Sequence, residues 1–228
     1  MQTTNKYLIC AYRPWNLDLF ENKFAKFGNF CIISDKEKLT LDNIKKINPK
    51  LIFFLDWSWI IEPNIIDLFF CIGFHSAPLP EFRGGSPIQN QIIRGVDNTK
   101  LTAFRMDKGI DTGNILLQRD LSLAGNMKDI LDRIVSLSYD MIVSIVNGVY
   151  TEKKQEGKGS YFKRRDLRES ELTEENFKDE NYLYNFIRML EDPYPNAFMD
   201  IGNFRLLFKS AKKQNDGILC SLLIKRRK

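Results

Sequence analysis

The chain has 228 residues, 43% hydrophobic and 28% charged, which is room for one α/β domain with a real core plus a smaller appendage, and the composition excludes a disordered or fibrous chain. A formal net charge of +5 suits an anionic substrate without demanding nucleic acid. Cys10, Cys31, Cys71 and Cys220 include no CxxC pair, which speaks against a disulfide framework and for buried, reduced thiols.

In chain order, Tyr7 to Tyr12 reads as a strand. Asn16 is then placed to cap a helix with Leu17, Phe20, Phe24 and Phe27 on one face, ended by Gly28. Phe30 to Ile33 is a second strand, and Leu41 to Ile47 a short helix stopped by Asn48-Pro49. Leu51 to Leu55 is apolar without a break, as a strand buried on both faces would be. Pro63 starts another short helix, and Cys71 to His75 is the fourth strand. Alternation of this kind predicts an α/β fold with a doubly wound, mostly parallel, Rossmann-like sheet. Ala11-Tyr12-Arg13-Pro14 follows the first strand where a GxGxxG turn would stand, so no dinucleotide site is expected.

Residues 76–87 form a loop rich in Pro and Gly, after which Ser86 is placed to cap a helix from Pro87 to Arg94. Leu101 to Met106 and Asn114 to Leu121 read as strands joined by Asp107 to Gly113. Asn126 with Asp129 three residues on marks the start of the longest helix, striped by Ile130, Ile134, Leu137, Met141 and Ile145. Residues 151–171 read as a surface linker, Asn176 to Leu190 as a helix, and Ala197 to Lys209 as a hairpin around Gly202-Asn203. Ile218 to Ile224 is a last strand, followed by a basic tail, Lys225 to Lys228. The expected domains are therefore 1–150, carrying the sheet, and 151–228, a linker with a small C-terminal helix and β-hairpin extension. No apolar run approaches the roughly 20 residues of a membrane span, and the N-terminal apolar stretch is too short for a signal peptide. No membrane partner and a cytoplasmic location are the expectation.

Two residues stand out chemically. His75 is the one histidine in the chain, at the predicted C-terminal end of a parallel strand, where ligands bind in open α/β sheets. Any imidazole proton chemistry must use it, although a lone His is more often structural than catalytic. Asp111 lies between Gly109 and Gly113, whose backbone freedom can present a carboxylate at a loop tip; an ordinary turn Asp is the plain alternative, and Asp107 is a neighbouring competitor.

The stretch FHSAPLPEFRGGSPIQNQIIRG, residues 74–95, followed by FRMDKGIDTGNILLQ, residues 104–118, resembles the formyltransferases that use 10-formyltetrahydrofolate. That family includes methionyl-tRNA formyltransferase, glycinamide ribonucleotide transformylase and sugar N-formyltransferases. His75, Leu79-Pro80, Arg83-Gly84 and Ile110-Asp111-Thr112-Gly113 match its motifs in order, with His75 and Asp111 36 residues apart (111 − 75). The family's catalytic Asn falls at Gly73, which has no side chain to offer; Ser76, Gln89, Asn90 or main-chain N–H groups are the candidates to replace it.

The resemblance implies a folate-dependent enzyme with His75 and Asp111 as catalytic residues and no metal. It places the folate against Trp57, Ser58 and Trp59 on one side and Arg105, Met106, Asp107, Gly109 and Ile110 on the other. Arg13, Ser76, Arg83 and Asn90 are the expected substrate-binding residues, the two arginines suiting a diphosphate. The short C-terminal part suits a nucleotide-linked amino sugar as acceptor, in surface polysaccharide synthesis. The alternatives are a methionyl-tRNA formyltransferase-like enzyme, a folate- or nucleotide-binding relative without catalysis, and a hydrolase of formyl-folate. The basic runs Lys163-Arg164-Arg165 and Lys225 to Lys228 read as solvated surface rather than a nucleic-acid interface. The C-terminal hairpin leaves a homodimer open.

Overall fold

The computed structural model describes residues 5–227. The described residues up to Arg83, with Lys100–Leu121 and Asp132–Ser160, form one compact unit; Gly84–Thr99, Ser122–Leu131 and the residues from Tyr161 onward form a second. The elements in chain order are β1 (Tyr7–Cys10), α1 (Pro14–Leu19), β2 (Phe30–Ile33), α2 (Leu41–Ile47), β3 (Leu51–Phe54), α3 (Pro63–Leu68), β4 (Cys71–His75), β5 (Arg83–Gly84) and α4 (Pro87–Ile92). They continue with β6 (Asn98–Arg105), β7 (Ile115–Ser122), α5 (Met127–Val146), β8 (Tyr161–Phe162), α6 (Glu180–Arg188), β9 (Ala197–Ile201), β10 (Phe204–Gln214) and β11 (Gly217–Arg226).

The first unit is built on a six-stranded sheet of order β2-β1-β3-β4-β6-β7. β1 runs parallel to both β2 and β3, and β3 parallel to β4; β6 pairs antiparallel with β4, setting Gly73 opposite Phe104 and His75 opposite Thr102. The α/β, mostly parallel expectation therefore holds. β3 is buried along its whole length, as its unbroken apolar run requires. One face packs Leu8, Cys10, Ile33, Ile44, Ile52, Phe54, Ile65 and Cys71 into a cluster. Each such side chain removed from water stabilises the fold by about 1.5–3 kcal/mol.

Local chemistry explains most boundaries. Thr40 Oγ1 accepts from Asn43 N at 3.3 Å to cap α2, and Asn48 ends it in the left-handed conformation, φ 52. At α5 the Asn126 carboxamide accepts from Asp129 N, and Asp129 accepts from Asn126 N, a complete capping box. Two caps differ from expectation. α1 starts at Pro14, and Asn16, one turn inside, donates to Asp56 instead of capping. Ser86 precedes α4 without a side-chain cap bond, because its hydroxyl accepts from Arg165 N.

In the second unit, α6 packs on an antiparallel sheet of order β11-β10-β9. α6 begins later than expected, behind a separate turn at Glu174–Phe177 capped by Thr173 and Asn176. β10 and β11 run on through polar residues, so Lys225 and Arg226 are strand residues rather than a tail; Lys228 lies outside the described residues. Glu191, 8% exposed, accepts from Met127 N and Ala211 N, and the buried Arg188 donates to the carbonyls of Leu123 and Gly125. Burial lowers the Arg188 pKa, partly offset by Tyr184, Asp97 and Glu191.

Candidate active site

The C-terminal ends of β1, β3 and β4 carry the chemistry-bearing residues of the first unit. After β1, the Tyr12 ring packs at a tilt of 52° on Trp59, centroids 4.4 Å apart, and meets Trp57 edge-on at 6.2 Å, with Trp57 and Trp59 also edge-on at 4.9 Å. The Tyr12 hydroxyl bonds the Ser58 hydroxyl at 2.7 Å, and Arg13 lies over the Tyr12 ring at 4.8 Å. Asp56 fixes this corner: Trp15 Nε1 donates to it at 2.9 Å and Asn16 Nδ2 at 2.8 Å. Trp57 Nε1 is buried and has no hydrogen-bond partner among the described residues.

His75 ends β4, buried at 7% exposure. Its Nε2 lies 2.7 Å from the carbonyl oxygen of Phe82. A carbonyl only accepts, so Nε2 carries a hydrogen. Nδ1 faces Asp111 Oδ2 at 3.6 Å, within Coulombic reach but beyond hydrogen-bond length. Asp111 holds φ 54, and Phe82 and Asp56 share the left-handed region at φ 57 and 48. Such backbone costs about 1–2 kcal/mol at a non-glycine residue. Two of these residues, Phe82 and Asp111, face the His75 imidazole, a mark of a site held by its surroundings.

The loop that carries Asp111 is braced internally. Asp107 Oδ1 accepts from Gly109 N at 3.0 Å and from Thr112 Oγ1 at 2.6 Å. Gly113 is required by space, since a Cβ there would stand 1.7 Å from the carbonyl oxygen of Arg105. Asp107 thus serves the loop, while Ile110 is exposed at its tip. Arg105 lies over the Phe70 ring at 4.7 Å and faces Glu152 at 3.6 Å; Met106 packs into the core. Arg83 donates to Gln155 Oε1 from Nε at 3.1 Å and Nη2 at 2.6 Å.

Of the groups considered for the missing Asn, Ser76 is buried in the first unit. In the second unit, Asn90 Nδ2 donates to the carbonyls of Gly85 and Ser86, and Gln89 Nε2 is buried without a partner. Gly73 itself has no room: a Cβ there would meet Phe104 Cε1 and Cζ at 2.7 Å and Met106 Cγ at 3.4 Å. The Phe104 ring fills the space that a side chain at position 73 would use.

Tyr12, Trp15, Asp56, Phe82, Gln155 and Ser160 join the expected residues through contacts that the motifs do not mark. Two thiols near the sheet's centre are inert: burial raises the Cys10 pKa well above its ordinary value, with Cys71 adding to it, and burial pushes Cys71 to about 12. Among the described residues no group of three or more His, Cys, Asp and Glu side chains is placed to hold a metal ion. No helix among them is long and apolar enough to cross a membrane.

A family model described as formyl transferase matches residues 29–146, and one described as methionyl-tRNA formyltransferase, C-terminal domain, matches residues 167–225. The methionyl-tRNA formyltransferase of Clostridium botulinum is 30% identical over 212 residues, 88% of this chain and 66% of that protein. The chain spans about two thirds or less of the length of the curated relatives it matches. A structure of methionyl-tRNA formyltransferase from Clostridium thermocellum is 38% identical, with a TM-score of 0.93 over 98% of this chain and all of that one. The formyltransferase PseJ from Anoxybacillus kamchatkensis, in complex with UDP-4,6-dideoxy-4-formamido-L-AltNAc and tetrahydrofolate, is 25% identical, with a TM-score of 0.56 over 70% of this chain and 86% of that one. With a formyl transferase match across more than half its length, the chain belongs to the formyl transferase family.

Proposed function

We propose that the chain transfers a formyl group from 10-formyltetrahydrofolate to a primary amine, with His75 and Asp111 at the centre. The observation that carries this is the pairing of His75 with Asp111 at the end of β4, inside the family match. The aromatic corner of Tyr12, Trp57 and Trp59 fits a flat heterocycle. The donor supplies an electrophilic formyl carbon, to which the amine adds while negative charge grows on the formyl oxygen. His75 stabilises that charge from a fixed, water-poor position. Asp111 takes the proton the amine loses, directly or through one water, and returns it to the leaving nitrogen of the folate.

For the acceptor, methionyl-tRNA is the better supported reading. Relatives and a structure that aligns over its whole length carry that name. This turns the expectation of an amino sugar into the second choice and restores RNA as a partner. The amino sugar keeps one observation in its favour, the likeness to PseJ with its bound UDP-sugar.

Single-turnover mass spectrometry with 10-formyltetrahydrofolate tests both, using methionyl-tRNA and a panel of nucleotide-linked amino sugars, for wild type and His75→Ala. Formylated methionyl-tRNA, lost in His75→Ala, supports the proposal in full. Formylation of a sugar alone keeps the chemistry and replaces the acceptor. No formyl transfer to any amine refutes the reading.

A further inference from the structure

Gln155 lies in the stretch that reads as a surface linker, yet its half-buried side chain is fully engaged. Nε2 donates to the carbonyl of Asp111 at 2.8 Å and to that of Gly113 at 2.7 Å. Oε1 accepts the forked pair from Arg83. The amide has one workable orientation, because the flipped one would set its oxygen against two carbonyls and its NH₂ against a guanidinium. Arg83 directly follows Phe82, whose carbonyl oxygen contacts His75 Nε2. That same stretch is pinned from the other side: Phe82 N donates to Ser160 Oγ at 2.8 Å and Arg83 N to Ser160 O at 2.9 Å.

A continuous path of contacts thus runs from His75 through Phe82, Arg83 and Gln155 to Asp111. The direct His75–Asp111 approach, 3.6 Å, is too long for a hydrogen bond to fix the pair. We propose that Gln155 is a positioning residue that sets the imidazole–carboxylate separation by bracing the strained Asp111 backbone against the segment that orients His75. This rests on the reading of His75 and Asp111 as the reacting pair. Gln155 reaches the loop through the carbonyls of Asp111 and Gly113, and so acts through the main chain.

The test uses Gln155→Ala and Gln155→Glu, the second keeping an acceptor for Arg83 while removing both hydrogens offered to the Asp111 loop. Both variants are expected to unfold cooperatively and to keep the KM for 10-formyltetrahydrofolate within about threefold. Their kcat is expected to fall on the order of 100-fold, the loss typical of a misplacement near 1 Å. His75 is the sole histidine, so its ring-nitrogen signals in ¹⁵N NMR are unambiguous, and they are expected to move in both variants. Arg83→Met, which cuts the same path one step away, should move them too. Unmoved ring signals in Gln155→Ala, or a loss confined to KM, overturn the proposal. Full activity in His75→Ala would overturn the functional reading alone, and the ring signals, which need no turnover, would then decide the positional claim by themselves.

Discussion

Gly73→Asn puts back the side chain that the family motif carries and that this chain lacks. The backbone allows it, since Gly73 does not occupy the left-handed region. Space does not, because the new Cβ would fall 2.7 Å from two atoms of the Phe104 ring, which is 3% exposed and held opposite Gly73 in the β4–β6 register. Overpacking of this kind costs about 1–3 kcal/mol. For a chain of this size that corresponds to a fall in Tm of roughly 2–12 °C. Phe104→Leu shortens the obstructing ring, and alone should cost about 1–2 kcal/mol through the space it leaves. The two substitutions relieve each other, so Gly73→Asn/Phe104→Leu should be more stable than the sum of the single changes by about 1 kcal/mol or more. Denaturant unfolding of the four proteins gives the coupling directly. A Gly73→Asn variant as stable as the wild type, or a cycle additive within ~0.5 kcal/mol, would show that Phe104 does not own that space. Formyl transfer by the double variant then reads the amide's worth: an oxyanion donor that reaches its target returns about 100-fold or more.

Two further expectations concern stability. Glu191→Gln replaces one of two accepting oxygens with an NH₂ that faces a main-chain donor, at Met127 or Ala211, and should destabilise by ~2 kcal/mol; an unchanged urea midpoint would refute the bridging role. Asp192 accepts from Lys209 Nζ at 2.8 Å, which holds its carboxyl below its ordinary 3.8. A depressed carboxylate contributes fully above its unfolded value, near pH 4, and the contribution is lost as pH falls through the lower folded value. Lys209→Met should therefore flatten the acid limb of the stability curve below pH 4. The effect should stay under ~1 kcal/mol, because the Asp192 side chain is 71% exposed.

The sequence announces whatever is local. Leu41 to Ile47, expected as a helix stopped by Asn48-Pro49, agrees with the structure to the residue. Asn126 and Asp129 make their capping box at the spacing that suggests it. Asn16 shows the limit: it has the chemistry of a cap, but a carboxylate 40 positions away claims its amide. Polar Lys212, Lys213 and Gln214 conceal the length of β10, since a strand largely exposed to water has no apolar alternation to display. In the candidate site, the contiguous motifs around His75 and Asp111 single them out, and the structure brings them to 3.6 Å. Gln155 is not, because its partners lie 42 to 72 residues away and no spacing rule links an amide in a charged stretch to two carbonyls in another loop.

The same geometry bears on whether the chain without its Asn is a slow enzyme or a binding protein. Loss of one oxyanion donor typically removes about 10²–10³ in rate. Enzymes commonly accelerate their reactions by 10⁶-fold or more, so such a loss by itself leaves substantial catalysis. A protein that only bound a ligand on the proposed platform would need the aromatic corner of Tyr12, Trp57 and Trp59. It has no use for a carboxylate held at φ 54 against an imidazole, nor for Gln155 and Arg83 spent on keeping it there. That arrangement costs conformational free energy at Asp111 and Phe82, and a binder would gain stability by releasing it. Its presence favours the proposed formyl transfer over binding alone.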